Sequence, residues 1–208
     1  MIENTATRIT IAAAAMLAAA LFAAPVSANA ADADATAATE HVCSSCHGPA
    51  GNSVNPSFPN LAGQQKDYLV AQLTAFRDHT RADPHAHTYM WGMAAHLSDA
   101  TIAGLASFYA AKPPPVGSSE SSDDGANGGK IFTAGIPAQN VPACITCHGD
   151  KAQGAGAIPR LAGQHRSYLA GQLEAFASNA RANEIMHATS QNLDAREIKE
   201  VSAYLASQ

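Results

Sequence analysis

Cys43-Ser44-Ser45-Cys46-His47 and Cys144-Ile145-Thr146-Cys147-His148 are two copies of one five-residue word, Cys-x-x-Cys-His. Two thiols three residues apart lie side by side on one helical turn, and the imidazole that follows sits just beyond them. This is the attachment signature of c-type haem. The thiols trap the two vinyl groups of one porphyrin edge as thioethers, and the histidine offers its ring to the iron. The chain has 4 cysteines, and the two words use all of them. The sequence therefore predicts two covalently bound haem c groups, held by Cys43 and Cys46 and by Cys144 and Cys147. His47 and His148 would bind the irons, and no disulfide would form.

Other uses of Cys-x-x-Cys fit less well. A zinc ribbon places its two pairs about 15–20 residues apart, whereas these lie 101 apart and each is followed by His. A thioredoxin-like redox pair belongs in a βαβ pattern, and no strand pattern flanks either word. A disulfide within each pair would leave the repeated histidine without a purpose.

Residues 1–30 read as a targeting segment. Arg8 gives a weak positive start, Ile9 to Ala24 is apolar and alanine-rich, and Ala28-Asn29-Ala30 offers a cleavage site. The run is short for a membrane span, so cleavage after export to a periplasm-like space is favoured over an uncleaved anchor. The formal net charge of the chain is -5. The acidic excess falls on residues 31–112 and 113–127, while 128–208 is nearly balanced. No basic stripe marks a nucleic-acid partner.

Beyond the two words, the chain repeats itself. Leu61-Ala62-Gly63-Gln64 recurs as Leu161-Ala162-Gly163-Gln164, Tyr68-Leu69 as Tyr168-Leu169, Gln72-Leu73 as Gln172-Leu173, Ala75-Phe76 as Ala175-Phe176, and Arg81-Ala82 as Arg181-Ala182. One period of this length means two copies of a domain rather than a solenoid. Lys112 is followed by Pro113-Pro114-Pro115 and a Gly/Ser/Asp-rich run, which reads as a linker, stiff then flexible. The division is a domain over 31–112, a linker over 113–127 and a domain over 128–208. Each lobe is small for an independent core, so a haem should serve as part of its apolar centre.

The coarse pattern is all-α. Tyr68, Leu69, Gln72, Leu73 and Phe76 fall on one helical face. A last helix opens at Ser98-Asp99 and should bury Ile102, Leu105, Phe108 and Tyr109. Its twin opens at Asp194 with Glu197 three later, a capping-box pattern, and should bury Ile198, Val201, Tyr204 and Leu205. Aligning back from these helices sets Met90 opposite Met186, both seven before a matched Leu97 or Leu193, and sets Met93 opposite Thr189. If both irons are ligated alike, Met90 and Met186 are the sixth ligands. Met93 is the competitor in lobe 1, and His85 and His87 lie in a four-residue insertion there.

With these motifs in hand the chain resembles a dihaem cytochrome c of the c4 type. The likeness spans nearly all of residues 31–208 and rests on the paired haem words, the Pro59–Gln64 and Pro159–Gln164 segments, and the Met–Leu–helix endings. The resemblance implies two tandem class I cytochrome c domains packed face to face, each with His/Met ligation. It implies that the carbonyls of Pro59 and Pro159 accept a hydrogen bond from the histidine rings. Arg81, Arg181, Tyr68 and Tyr168 become candidates for propionate contact or loop anchoring, with plain helix packing the alternative for the tyrosines. Lobe 2 has the Gly129, Ile131 and Phe132 that pack on the last helix in such domains. Lobe 1 lacks them, so its first helix should be short or loose.

The expected function is periplasmic electron transfer, without enzyme activity, because two axial ligands leave iron no open site. The expected partners are redox proteins, a respiratory donor complex and a terminal oxidase, with peripheral association at a membrane left open. The alternative is a haem-carrying subunit of a dehydrogenase complex, and a dihaem peroxidase is a distant third.

Overall fold

The computed structural model describes residues 37, 39–117 and 124–208. The targeting segment and most of the run ahead of the first haem word lie outside them. The described residues are helical, and their only bridges are the isolated pairs Ile136–Val141 and Ala155–Ile158. Lobe 1 comprises a π-helical turn at Thr39–Cys43, α1 (Ser44–His47), α2 (Lys66–Arg77), a π-helical turn at Ala86–Met90, α3 (Trp91–Ala94) and α4 (Asp99–Ala110). Lobe 2 comprises α5 (Asp124–Ala134), α6 (Ile145–His148), α7 (Arg166–Ala177), α8 (Glu184–Ser190) and α9 (Ala195–Ala206).

The last helix of each lobe forms as its sequence dictates. Ser98 Oγ accepts the Thr101 N–H at 3.0 Å to open α4. Asp194 and Glu197 close a reciprocal box at the start of α9, with both bonds at 2.8 Å. Helix α4 buries Ile102, Leu105 and Tyr109, and α9 buries Ile198, Val201 and Leu205. Phe108 and Tyr204 are only half-buried. Phe108 lies under the Lys112 ammonium, 3.9 Å from the ring centre, at the edge of lobe 1.

Helix α5 crosses α9 at close range. A Cβ on Gly128 would sit 2.0 Å from the Glu200 carbonyl oxygen, so only glycine permits this approach. Phe132 is fully buried at the crossing and meets the Tyr204 ring at 5.5 Å. The helix opens at Asp124, inside the stretch that the composition assigned to linker. Gly128 and Gly129, which the sequence reading placed in the second domain, serve helix contact rather than flexibility. The expectation of a short or loose first helix in lobe 1 concerns residues that lie almost wholly outside the described ones, among which only the turn at Thr39–Cys43 is seen.

The Leu-Ala-Gly-Gln segments form matched turns. The Leu61 N–H reaches the Gly51 carbonyl and the Leu161 N–H reaches the Ala152 carbonyl, both at 2.8 Å. The Gly63 N–H then binds the Tyr109 carbonyl at 2.9 Å, and the Gly163 N–H binds that of Leu205 at 3.0 Å, which ties each turn to its last helix.

The same turns join the lobes face to face. The Gln64 amide accepts the Arg160 N–H at 2.7 Å and donates to the Arg160 carbonyl at 2.9 Å. Reciprocally, the Gln164 amide accepts the Asn60 N–H at 2.9 Å and donates to the Asn60 carbonyl at 3.0 Å. Each glutamine thus reads one residue of the opposite backbone as a strand would. The linker follows the same seam: Pro114 packs on Gly63 and Pro115 on Gly163.

Candidate functional site

Both haem words end in a short helix whose histidine turns inward. His47 and His148 are buried, and Nδ1 of each donates to a proline carbonyl: Pro59 at 2.9 Å and Pro159 at 3.0 Å. A carbonyl can only accept, so Nδ1 carries the proton and Nε2 keeps its lone pair for a metal. Burial pushes both imidazoles below their ordinary pKa, and the proline carbonyls offset part of this. Both rings are therefore neutral at pH 7, the form that ligates iron.

The imidazoles open onto one continuous cavity of about 650 Å³ between the lobes. Cys43 and Cys147, Pro59 and Pro159, Met90 and Met186 also line it. Cys46 is exposed and Cys144 is half-buried in the lobe 2 core, both outside the lining. Burial raises the Cys43 thiol and pushes that of Cys144 up to about 11, which marks an apolar floor. Phe76, Phe176, Leu69 and Leu169 supply apolar wall. In each half one thiol, a neutral oriented imidazole and a thioether line an apolar space, with the second thiol of the pair outside the lining, a donor set that fits two haems.

Met90 closes the π-helical turn of Ala86–Met90 and packs against the cluster of Phe76, Ala86 and Ala94. Met186 sits in the first turn of α8, where its N–H is capped by the Asn183 side chain at 2.9 Å. Met93 is 56% exposed and lies outside the lining. His85 lines the cavity from an exposed position, with its ring 6.0 Å from that of Tyr89, and His87 lies outside, against Trp91.

The matched arginines and tyrosines have a role between the lobes. Arg81 donates from Nη1 to Gln72 at 2.8 Å and from Nη2 to Gln172 across the seam at 2.7 Å. Arg181 mirrors it, with Nη1 to Gln172 and Nη2 to Gln72, both at 2.6 Å, and a further bond to the Tyr68 hydroxyl at 3.0 Å. The guanidinium planes lie over Phe76 and Phe176, at 4.7 and 4.5 Å. Burial alone would raise the Tyr68 phenol, but Arg181 and Arg81 outweigh it and hold the group below its ordinary range.

Sequence reading placed Gln72 on a packing face, quoted Gln64 and Gln164 only as marks of the repeat, and passed over Asp83. For the glutamines the available signal was a polar residue repeated in both copies; Asp83, whose counterpart is Asn183, carried no such signal.

The cytochrome c family model matches residues 30–110 and 125–208. A solved cytochrome c4 of Acidithiobacillus ferrooxidans superposes with a TM-score of 0.77 at 41% identity, covering 80% of this chain and 98% of that one. The chain belongs to the dihaem cytochromes c of the c4 type. It is an electron-transfer protein with two covalently bound haem c groups, one for each cysteine pair. The cytochrome is also 43% identical over 179 residues to cytochrome c-552 of Acidithiobacillus ferridurans, covering 85% of this chain and 78% of that relative. It is 34% identical over 177 residues to a thiosulfate dehydrogenase electron acceptor of Thiomonas intermedia, covering 80% and 78%. No described helix of the cytochrome is long and apolar enough to cross a membrane.

Proposed function

We propose that His47 and Met90 hold one iron, that His148 and Met186 hold the other, and that the molecule carries electrons between periplasmic redox proteins. The observation that supports this is the opening of each buried, carbonyl-anchored imidazole onto the same cavity as the methionine of its own lobe. Bound haem supplies a one-electron centre. The chain's own task is to hold the ligating side chains in place, exclude water and keep both sites on one cavity. Pro59 and Pro159 lock the imidazole rings, and the Phe76–Ala86–Ala94 cluster steadies Met90. His47 with Met90 and His148 with Met186 would hold the two irons by protein donors alone and leave no iron site for substrate, which fits a carrier rather than an enzyme.

The domains run over 31–112 and 128–208, joined by 113–127, with the first turn of α5 reaching back into the linker. Residues 1–30 direct export to the periplasm. The partners are a respiratory donor complex and a terminal oxidase. A second reading, a haem subunit serving a dehydrogenase, draws support from the thiosulfate dehydrogenase electron acceptor that the chain resembles. Copurification with a large partner at high salt would favour that reading over a free carrier.

The ligand assignment is tested by expression with a haem maturation system. The holoprotein should contain two haems and show the near-infrared methionine–Fe(III) band. Met90→Ala and Met186→Ala should each remove half of that band, and Met93→Ala should leave it whole. A band that survives Met90→Ala and is halved by Met93→Ala would overturn the lobe 1 assignment.

A further inference from the structure

The two halves of the site differ at several positions, and one buried difference sits beside an arginine. Residue 83 is Asp and its counterpart, residue 183, is Asn. Both residues brace the segment that carries the methionine. The Asp83 carbonyl accepts the His87 N–H at 3.0 Å, and its carboxylate accepts the Ala86 N–H, at the start of the turn that ends in Met90. Asn183 caps the Met186 N–H. Asp83 does one thing more. Its Oδ2 takes the Arg81 Nε–H at 2.7 Å, in an ion pair that is almost fully buried on both sides. Among the described residues Arg181 bonds to neutral groups, Gln72, Gln172 and Tyr68.

The cavity wall therefore carries an ion-paired guanidinium in lobe 1 and, in lobe 2, one whose hydrogen-bond partners are neutral and which feels the Asp83 carboxylate only from farther away. Away from water a unit charge acts strongly over several ångströms. A positive charge beside a redox centre favours its reduced form, which has one charge less. We propose that Asp83 makes the two haem sites electrostatically unequal, lowering the reduction potential of the lobe 1 site relative to that of lobe 2. Its field also reaches Arg181, since the two arginines share Gln72 and Gln172. The lobe 2 site is then affected in the same direction but less. Asp83 acts through Arg81 and the shape of the Met90 turn, so it is a positioning and tuning residue rather than a ligand.

This inference rests on the two-haem reading of the cavity. The test is a spectroscopic redox titration of the holoprotein and two single variants. Asp83→Asn, which keeps an acceptor for the Ala86 N–H, should move one one-electron wave clearly upward and the other less. Asn183→Asp, which sets a carboxylate beside Arg181, should move mainly the other wave, downward. The methionine–Fe(III) band should stay whole in both variants. Equal movement of both waves, no movement, or loss of half the methionine band in Asp83→Asn would overturn the proposal. Failure of the underlying reading would instead show in the unmutated protein, as fewer than two waves.

Discussion

The buried pair Arg81–Asp83 shows how a single residue carries both stability and tuning. Burial by itself would raise the Asp83 carboxyl, but the Arg81 charge and hydrogen bond, with Arg181 behind them, hold it below the usual carboxylate range. The unfolded chain titrates at about 3.9, so the folded state binds its proton later. The resulting stabilisation is fully present above about pH 5 and is lost as pH falls through the lower folded value. Denaturant midpoints measured against pH should therefore show an acid limb that Asp83→Asn flattens. Removing the carboxylate altogether takes from Arg81 the one carboxylate it pairs with among the described residues. Asp83→Ala should destabilise lobe 1 by about 3 kcal/mol at pH 7, read from the same denaturation curves. The sequence spelled out the haem words because they are local chemistry at fixed spacing. Asp83 stayed hidden because its meaning depends on Arg81, which folds back over Phe76, and on a lobe boundary that no spacing reveals.

Among the elements, the last helices were the most legible and the first helices the least. The box of Asp194 and Glu197 is written within four residues and appears as expected. Asp194→Ala should cost about 1 kcal/mol, seen as a lower unfolding midpoint of the holoprotein. The crossing of α5 and α9 draws its strength from packing instead. Phe132 has no exposed surface, so Phe132→Ala should cost about 3–5 kcal/mol and should exceed the loss of the cap on the same curves. The first turn of α5 was read as linker from a Gly/Ser/Asp-rich composition, and the helix continues through Gly128, a residue type disfavoured inside helices for entropic reasons. Here the close passage of Glu200 requires it, and packing overrides local preference. The methionine-bearing turns show the converse. Alignment from the helix ends set Met90 opposite Met186 despite the insertion before it, yet nothing local announces a π-helical turn at Ala86–Met90.

For the molecule as a whole, the decisive contacts are the glutamine amides at the seam. Each of Gln64 and Gln164 satisfies one N–H and one carbonyl of the opposite lobe. Removing one amide strands two backbone groups, at about 1–3 kcal/mol each where water cannot reach them. The double variant Gln64→Ala/Gln164→Ala should part the lobes while leaving both haems attached. Small-angle scattering would show a larger radius of gyration, and the linker would be cut faster by protease. The reciprocity of these contacts has a historical reading. A lone lobe bearing such a glutamine could pair with an identical lobe about a two-fold axis, residue for residue. Joining two copies end to end turned a concentration-dependent encounter into a permanent one. Once the halves were separately encoded, each could drift on its own, so that a carboxylate could arise beside one arginine and not its twin. A symmetric pair of centres has no direction; the fused chain can.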